Sequence, residues 1–150
     1  MRKLFSLLFA ATVLSLMSSC KDKDNGETPS ETEKGKILIS YPWKMSQVTD
    51  LSGKTIPSNQ LNAQTQYIPA LEIQFVTGNK VYAKDEALQV QNGGTWYLVN
   101  NNGTLNIDII GFEGEFGVEE LTNSKMRLRS KMPVSGVEQE TIMVFAPVIK

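Results

Sequence analysis

The sequence predicts an all-β domain over residues 37–150, built as an eight-stranded antiparallel up-and-down barrel. Three observations predict it. Short alternating apolar runs recur beyond Ala70 with turn residues between them, the pattern of an all-β chain. Most connections are short and suit antiparallel neighbours, whereas the alternative, a two-sheet sandwich, needs longer crossings. The last run, at 139–148, is apolar on both faces, as expected of a strand that pairs back with the first and closes the sheet.

Residues 1–19 have the three-part layout of an export signal. Arg2 and Lys3 precede a mostly apolar run at 4–17, and Ser18 and Ser19 precede Cys20. The run is shorter than the roughly 20 apolar residues a membrane span needs. Leu16-Met17-Ser18-Ser19-Cys20 resembles a lipobox, the cleavage and lipidation signal of bacterial lipoproteins, with Met17 where such signals usually carry leucine. Cys20 is the only cysteine, so no disulfide accounts for it. Acylation, with palmitate-like chains, does account for it. At about 0.8 kcal/mol per buried methylene, two or three chains hold a protein firmly on a lipid membrane.

Residues 20–36 read as the lipidated cysteine and a flexible linker. From Lys21 to Lys36 there is no aliphatic or aromatic side chain, so nothing offsets the entropy of ordering the chain. Lys21-Asp22-Lys23-Asp24 resembles the charged export tags of Bacteroidota lipoproteins, and a generic solvated linker accounts for it equally well. The expected location is the outer membrane, on the cell surface or on the periplasmic face.

Composition narrows the function further. Without Arg2 and Lys3 the chain keeps 13 basic against 16 acidic residues, so no basic excess points to nucleic acid. There is no histidine. That removes the commonest general base, the commonest zinc ligand and every serine–histidine triad. The carboxylates of Asp85-Glu86, Glu113-x-Glu115 and Glu119-Glu120 remain. Strand neighbours at i and i+2 share one face and do not oppose each other across a cleft. No enzyme, cofactor or metal site is expected.

The body is read in order. Residues 37–48 open as a strand with Ile37, Ile39, Tyr41, Trp43 and Met45 on one face, a bend at Pro42, and Trp43 plugging one end of the core. Residues 50–69 show neither period and read as a long lid-like connection with at most a short helical turn. Leu71, Ile73 and Phe75 alternate, and Gly78-Asn79 signals a hairpin whose register stays open, because the simplest two-residue turn places Lys84 opposite Ile73. Residues 85–93 read as polar and turn-rich at their end.

The clearest hairpin spans 95–110. A four-residue loop at 100–103 pairs Leu98 with Leu105, Trp96 with Ile107, Tyr97 with Asn106 and Thr95 with Asp108. The next pair runs from Phe112 to Lys131. A turn at Thr122-Asn123-Ser124 sets Glu119 against Arg127, Glu115 against Lys131 and Val118 against Leu128. Leu121 then falls on the charged face, which calls for a bulge. Lys125, Arg127, Arg129 and Lys131 form a basic row, read mainly as an outer face neutralised by neighbouring glutamates, with an anionic-ligand or partner surface as the alternative.

Taken together, Trp43, Leu71-x-Ile73-x-Phe75, Gly94-x-Trp96, Gly103-Thr104-Leu105-x-Ile107 and Val118-x-x-Leu121-Thr122-x-x-x-Met126-x-Leu128 resemble the lipocalin-like domain of Bacteroidota lipoproteins. That family is largely without an assigned function. The resemblance implies a calyx able to hold a small apolar ligand. The lipocalin signature glycine-x-tryptophan is not matched, because Tyr41 stands where the glycine would be, and the closing strand has no arginine.

The expected role is therefore binding of a small hydrophobic or amphipathic ligand by a membrane-anchored barrel. Trp43, Phe75, Trp96, Phe116 and Met126 are the candidate lining residues, each also accountable as core. The alternative is a protein or glycan interaction module of the envelope, working through loop 50–69 with Trp43 or Tyr67 exposed.

Overall fold

The protein is described by a computed structural model covering residues 30–149. The export signal, Cys20 and most of the expected linker lie outside the described residues. Helix α1 (Glu33–Ser40) leads into strands β1 (Trp43–Thr49), β2 (Glu72–Val76), β3 (Lys80–Lys84), β4 (Val90–Val99), β5 (Thr104–Ile109), β6 (Phe112–Thr122), β7 (Lys125–Val134) and β8 (Val137–Pro147). Between β1 and β2 lie helix α2 (Ala63–Tyr67) and two 3-10 turns, Ser58–Gln60 and Ile68–Ala70. The strands pair in sequence order and form a closed barrel. Closure is made by β1 on β8, antiparallel from Trp43↔Pro147 to Thr49↔Ile142.

Alternation decides which side chains fill the interior. Trp43, Phe75, Trp96, Leu105, Met126, Leu128 and Phe145 are all fully buried. Both indole N–H groups find partners: Trp43 Nε1 donates to the Leu38 carbonyl at 2.9 Å and Trp96 Nε1 to the Val76 carbonyl at 3.1 Å. Phe75 meets Trp96 edge-on at a centroid distance of 5.7 Å. Such a pair contributes about 0.5–1.5 kcal/mol beyond its burial.

The opening strand differs from expectation. Residues 37–40 are helical, and the helix reaches back to Glu33, into the expected linker. Thr32 caps it by accepting from the Gly35 N–H at 3.0 Å. Leu38 is fully buried, with Ile37 and Ile39 packed against the core cluster. The apolar residues at 37 and 39 fit a strand, but the cap upstream and Pro42 downstream frame one short helix. Lys34 Nζ donates to the Asn102 carbonyl at 3.0 Å, tying α1 to the β4–β5 loop. Trp43 plugs that end of the core as expected, and α1 seals it.

The β4–β5 hairpin has the predicted register at every rung named above. Asn100, Asn101 and Asn102 take positive φ, which asparagine tolerates better than most residues. The β2–β3 register, open in the sequence, lies one residue away from that of a two-residue turn. Glu72, not Ile73, faces Lys84, because three residues rather than two make the turn. That register puts Ile73 beside Ala83 and Phe75 beside Val81, all four buried, where the shorter turn would oppose a core residue to a lysine. β4 starts earlier than expected, at Val90, because Asp85 closes the preceding turn: its Oδ1 accepts the Gln89 N–H at 2.9 Å.

Between β6 and β7, Val118 faces Leu128 as predicted, while Glu120 rather than Glu119 faces Arg127. The turn is two residues, and a bulge between Val118 and Glu120 restores the register, so Leu121 returns to the core side. Glu119 then reaches Arg129 at 2.8 Å. Glu115 pairs with Asn106 on β5 instead of with Lys131, because the β6–β7 pairing stops at Gly117↔Arg129.

Gly94 tests the closeness of β4 and β5. A Cβ there would lie 1.6 Å from the Asp108 carbonyl oxygen, a backbone atom that cannot move aside. Gly94→Ala is expected to cost roughly 4 kcal/mol or more. At Gly117 the nearest atom would be the Arg129 Cβ at 3.5 Å, an ordinary contact. Gly117→Ala should stay within about 1 kcal/mol of wild type. Chemical denaturation of the two variants measures both.

Candidate functional site

The end opposite α1 carries the long β1–β2 connection. It opens with a turn built on Asp50, whose Oδ1 accepts the Ser52 hydroxyl at 2.6 Å and the backbone N–H groups of Ser52 and Lys54 at 2.9 and 3.0 Å. The Ser52 hydroxyl first, then the Lys54 N–H, hold the Asp50 carboxyl below the usual carboxylate range. The chain then runs over the barrel end. Asn62 caps α2, its side chain accepting the Thr65 N–H at 2.8 Å. Thr65, Ile68 and Leu71 are buried beneath.

This segment is a tethered cap. Leu61 bridges to Val134, and the Ser135 N–H donates to the Gln60 carbonyl at 2.7 Å, both at the tip of the β7–β8 hairpin. On the other side the Ile56 N–H donates to the Val48 carbonyl at 2.8 Å. The sequence suggested a loose lid with one short turn; the segment holds three short helical pieces and is fixed at both flanks.

The cap covers a barrel end whose wall is incomplete. β1 pairs with β2 over only two rungs, and β6 leaves β7 above Gly117. Pro133 sits in β7 where no β6 backbone is left to demand its missing N–H. Clefts flank the cap, and three of them bear on the barrel mouth. One, about 230 Å3, lies where β6 and β7 diverge, with Ile68, Phe112, Phe116 and Met143 below and Lys131 and Glu113 beside it. A second, about 260 Å3, is bounded by Tyr67, Ile68, Leu71, Ile109, Ile110 and Phe112. The third, about 230 Å3, lies between β1 and the cap, against Met45, Val48, Ile56, Leu61 and Pro69.

Of the five residues expected to line a pocket, Phe116 alone borders one of these clefts. Trp43, Phe75, Trp96 and Met126 lie inside the barrel with no exposure, as packing residues. Alternation could place all five indoors but could not tell the packed end from the open one. Ile68 and Phe112, which border two of the clefts, were missed as site residues. Phe112 stacks in a chain with Phe116 at 5.1 Å and Phe145 at 5.9 Å. The available signal was position: Phe112 directly follows the Ile110-Gly111 turn.

The basic row divides. Arg129 is held by Glu119 and, at 3.9 Å, by Glu140, and Arg127 lies 4.0 Å from Glu120. These pairs are exposed and worth about 0–1 kcal/mol each. Among the described residues, Lys125 and Lys131 have no carboxylate within ion-pair distance. Asp85, Glu119 and Glu120 are committed to a turn or to arginines, while Glu113 borders the β6–β7 cleft and Asp50 borders a further cleft against Lys54, Ile56 and Gln60 of the cap. Tyr67 and Ile110 stand exposed at the rim, at 57% and 81%.

No protein-family model matches the sequence, and no curated protein matches it significantly. Among solved structures the chain is similar to a lipocalin-like protein from Bacteroides uniformis ATCC 8492, with 14% identity, a TM-score of 0.49, and coverage of 73% of this chain and 98% of that one. Among the described residues no helix is long and apolar enough to cross a membrane.

Helix α2 of the cap depends on its Asn62 N-cap. Asn62→Ala is expected to cost about 0.5–2 kcal/mol. Hydrogen exchange should rise at the amides of Thr65 and Gln66 while those of β5 keep their protection.

Proposed function

We propose that the chain is a membrane-anchored lipoprotein whose barrel mouth binds a small hydrophobic or amphipathic molecule. One observation carries this reading. The cleft between β6 and β7 combines an apolar floor of Ile68, Phe112, Phe116 and Met143 with an exposed lysine, Lys131, that has no ion-pair partner among the described residues. Asn62, Gln64, Glu113 and Ser130 share the rim with Lys131, and an apolar floor beneath convergent polar groups suits a molecule that is itself amphipathic. The interior below is filled by the protein's own side chains, so the ligand sits at the mouth and against the cap. The bacterial envelope, with the outer membrane as its anchoring surface, is the proposed setting.

A second reading has its own support. Tyr67 and Ile110 are large, exposed and adjacent to one cleft, as expected of a docking surface for an envelope protein or glycan.

Native mass spectrometry of the chain extracted in a polyoxyethylene detergent tests the first reading. The expected result is retention of an endogenous or added amphiphile, with dodecanoate as the probe. Lys131→Glu should weaken dodecanoate retention by about tenfold, or about 1.4 kcal/mol. A chain that stays ligand-free and takes up no dodecanoate would refute ligand binding at the mouth. Co-purification of an envelope partner lost on Tyr67→Ala would favour the second.

The anchor is tested separately. Cys20→Ser should abolish labelling by radioactive palmitate and move the protein from the membrane fraction to the soluble one. Persistence of either signal would exclude Cys20 as the lipid attachment site.

A further inference from the structure

The outer wall carries another cleft, beside the turn where the cap begins and sharing no residue with the β6–β7 cleft. It has a volume of about 400 Å3 and lies across β7, β8 and β1, closed on one side by the Asp50 turn. Arg127, Val144 and Gln47 form one row across the three strands, by the pairings Arg127↔Val144 and Gln47↔Val144. Lys125 lies two residues along β7 on the same face, and Leu51 and Thr49 complete the wall.

Three features of this cleft are unexplained by folding. Lys125 is exposed, with no carboxylate partner among the described residues, and Arg127 is only loosely engaged, 4.0 Å from Glu120. Gln47 accepts the Thr55 hydroxyl through Oε1 at 3.0 Å, which leaves its amide NH2 as a donor. Thr49 is 97% buried, and its hydroxyl has no hydrogen-bond partner. A buried polar group without a partner destabilises the free protein, and a ligand group that meets it recovers that loss.

From these we infer that the β7–β8–β1 face binds a small hydroxyl-rich anion, an acidic saccharide of about disaccharide size. Lys125 and Arg127 take the carboxylate, Arg127 exchanging Glu120 for a better-aligned partner. The Gln47 amide takes a ring hydroxyl, Leu51 with Val144 gives the sugar's apolar face a surface, and the Thr49 hydroxyl, closed to solvent in the free protein, meets a second ring hydroxyl once the Asp50 turn shifts on binding. The size of the cleft falls within the roughly 300–1,000 Å3 of small-molecule sites and far exceeds what a bare inorganic anion fills. The site is independent of the mouth, so it stands or falls separately from ligand binding there.

The test is amide NMR titration of the full chain in polyoxyethylene detergent with digalacturonate, neutral galactobiose and inorganic phosphate. Digalacturonate should shift the amides of Thr49, Gly53 and Val144, and galactobiose should bind at least about tenfold more weakly. The double variant Lys125→Gln, Arg127→Gln should lose the response while keeping the wild-type melting temperature. Thr49→Val, which removes the unpartnered hydroxyl at nearly constant volume, should raise the melting temperature and weaken digalacturonate binding. Equal responses to digalacturonate and galactobiose, equal responses to phosphate and digalacturonate, or no shift at these amides would each overturn the inference. So would a Thr49→Val variant that binds digalacturonate as wild type does.

Discussion

Closure of the sheet is the constraint from which the other features of this protein follow. An open eight-stranded meander would leave β1 and β8 with unpaired backbone and the apolar faces of both in water. Pairing β1 with β8 removes both edges at once and defines an interior of fixed volume. Side chains that alternate inward must then fill that volume, and they do so with two tryptophans, several phenylalanines and aliphatic residues, all nearly without exposure. The two indole N–H groups are the polar liabilities of such a core, and each is met by a backbone carbonyl.

A closed wall still has two ends, and the protein treats them differently. At one end α1 lies against Trp43 and seals the core with Leu38. At the other, the wall is itself incomplete, because β1–β2 pairing is short and β6 turns away from β7. The connection from Asp50 to Ala70 covers that end and is held by backbone bonds to β1 and to the β7–β8 tip. Clefts form along its margins because a cap made of short helical pieces cannot follow the outline of eight tilted strands. Apolar side chains under such margins are the price of an unfinished wall, and they form the surface on which the proposed ligand would rest.

The outer face follows a different logic. The two arginines of β7 are matched, because the bulge at Glu119 brings Glu119 and Glu120 alongside them. The lysines at either end of the basic row are left over, and each borders a cleft, Lys131 near the cap and Lys125 beside the Asp50 turn. Unmatched charge beside a concave surface is a more informative feature than the row itself.

Much of this fold was legible in the order of residues alone. Period-two alternation identified most strands and predicted the β4–β5 register rung by rung, because an inward Trp96, Leu98, Leu105 and Ile107 can be satisfied by one pairing only. The conflict at Leu121 announced the bulge, since a core residue cannot rest on a charged face. Other features depended on the assembled barrel. Ile37 and Ile39 suit a strand or a helix; the Thr32 cap and Pro42 frame the helix, and the barrel end at Trp43 gives it a face to bury. The turn after β2 gained its third residue from cross-strand burial, which no local signal encodes. The mouth was beyond reach for the same reason: inward-facing residues look alike in sequence, and their distance from a barrel's open end exists only once all eight strands have closed.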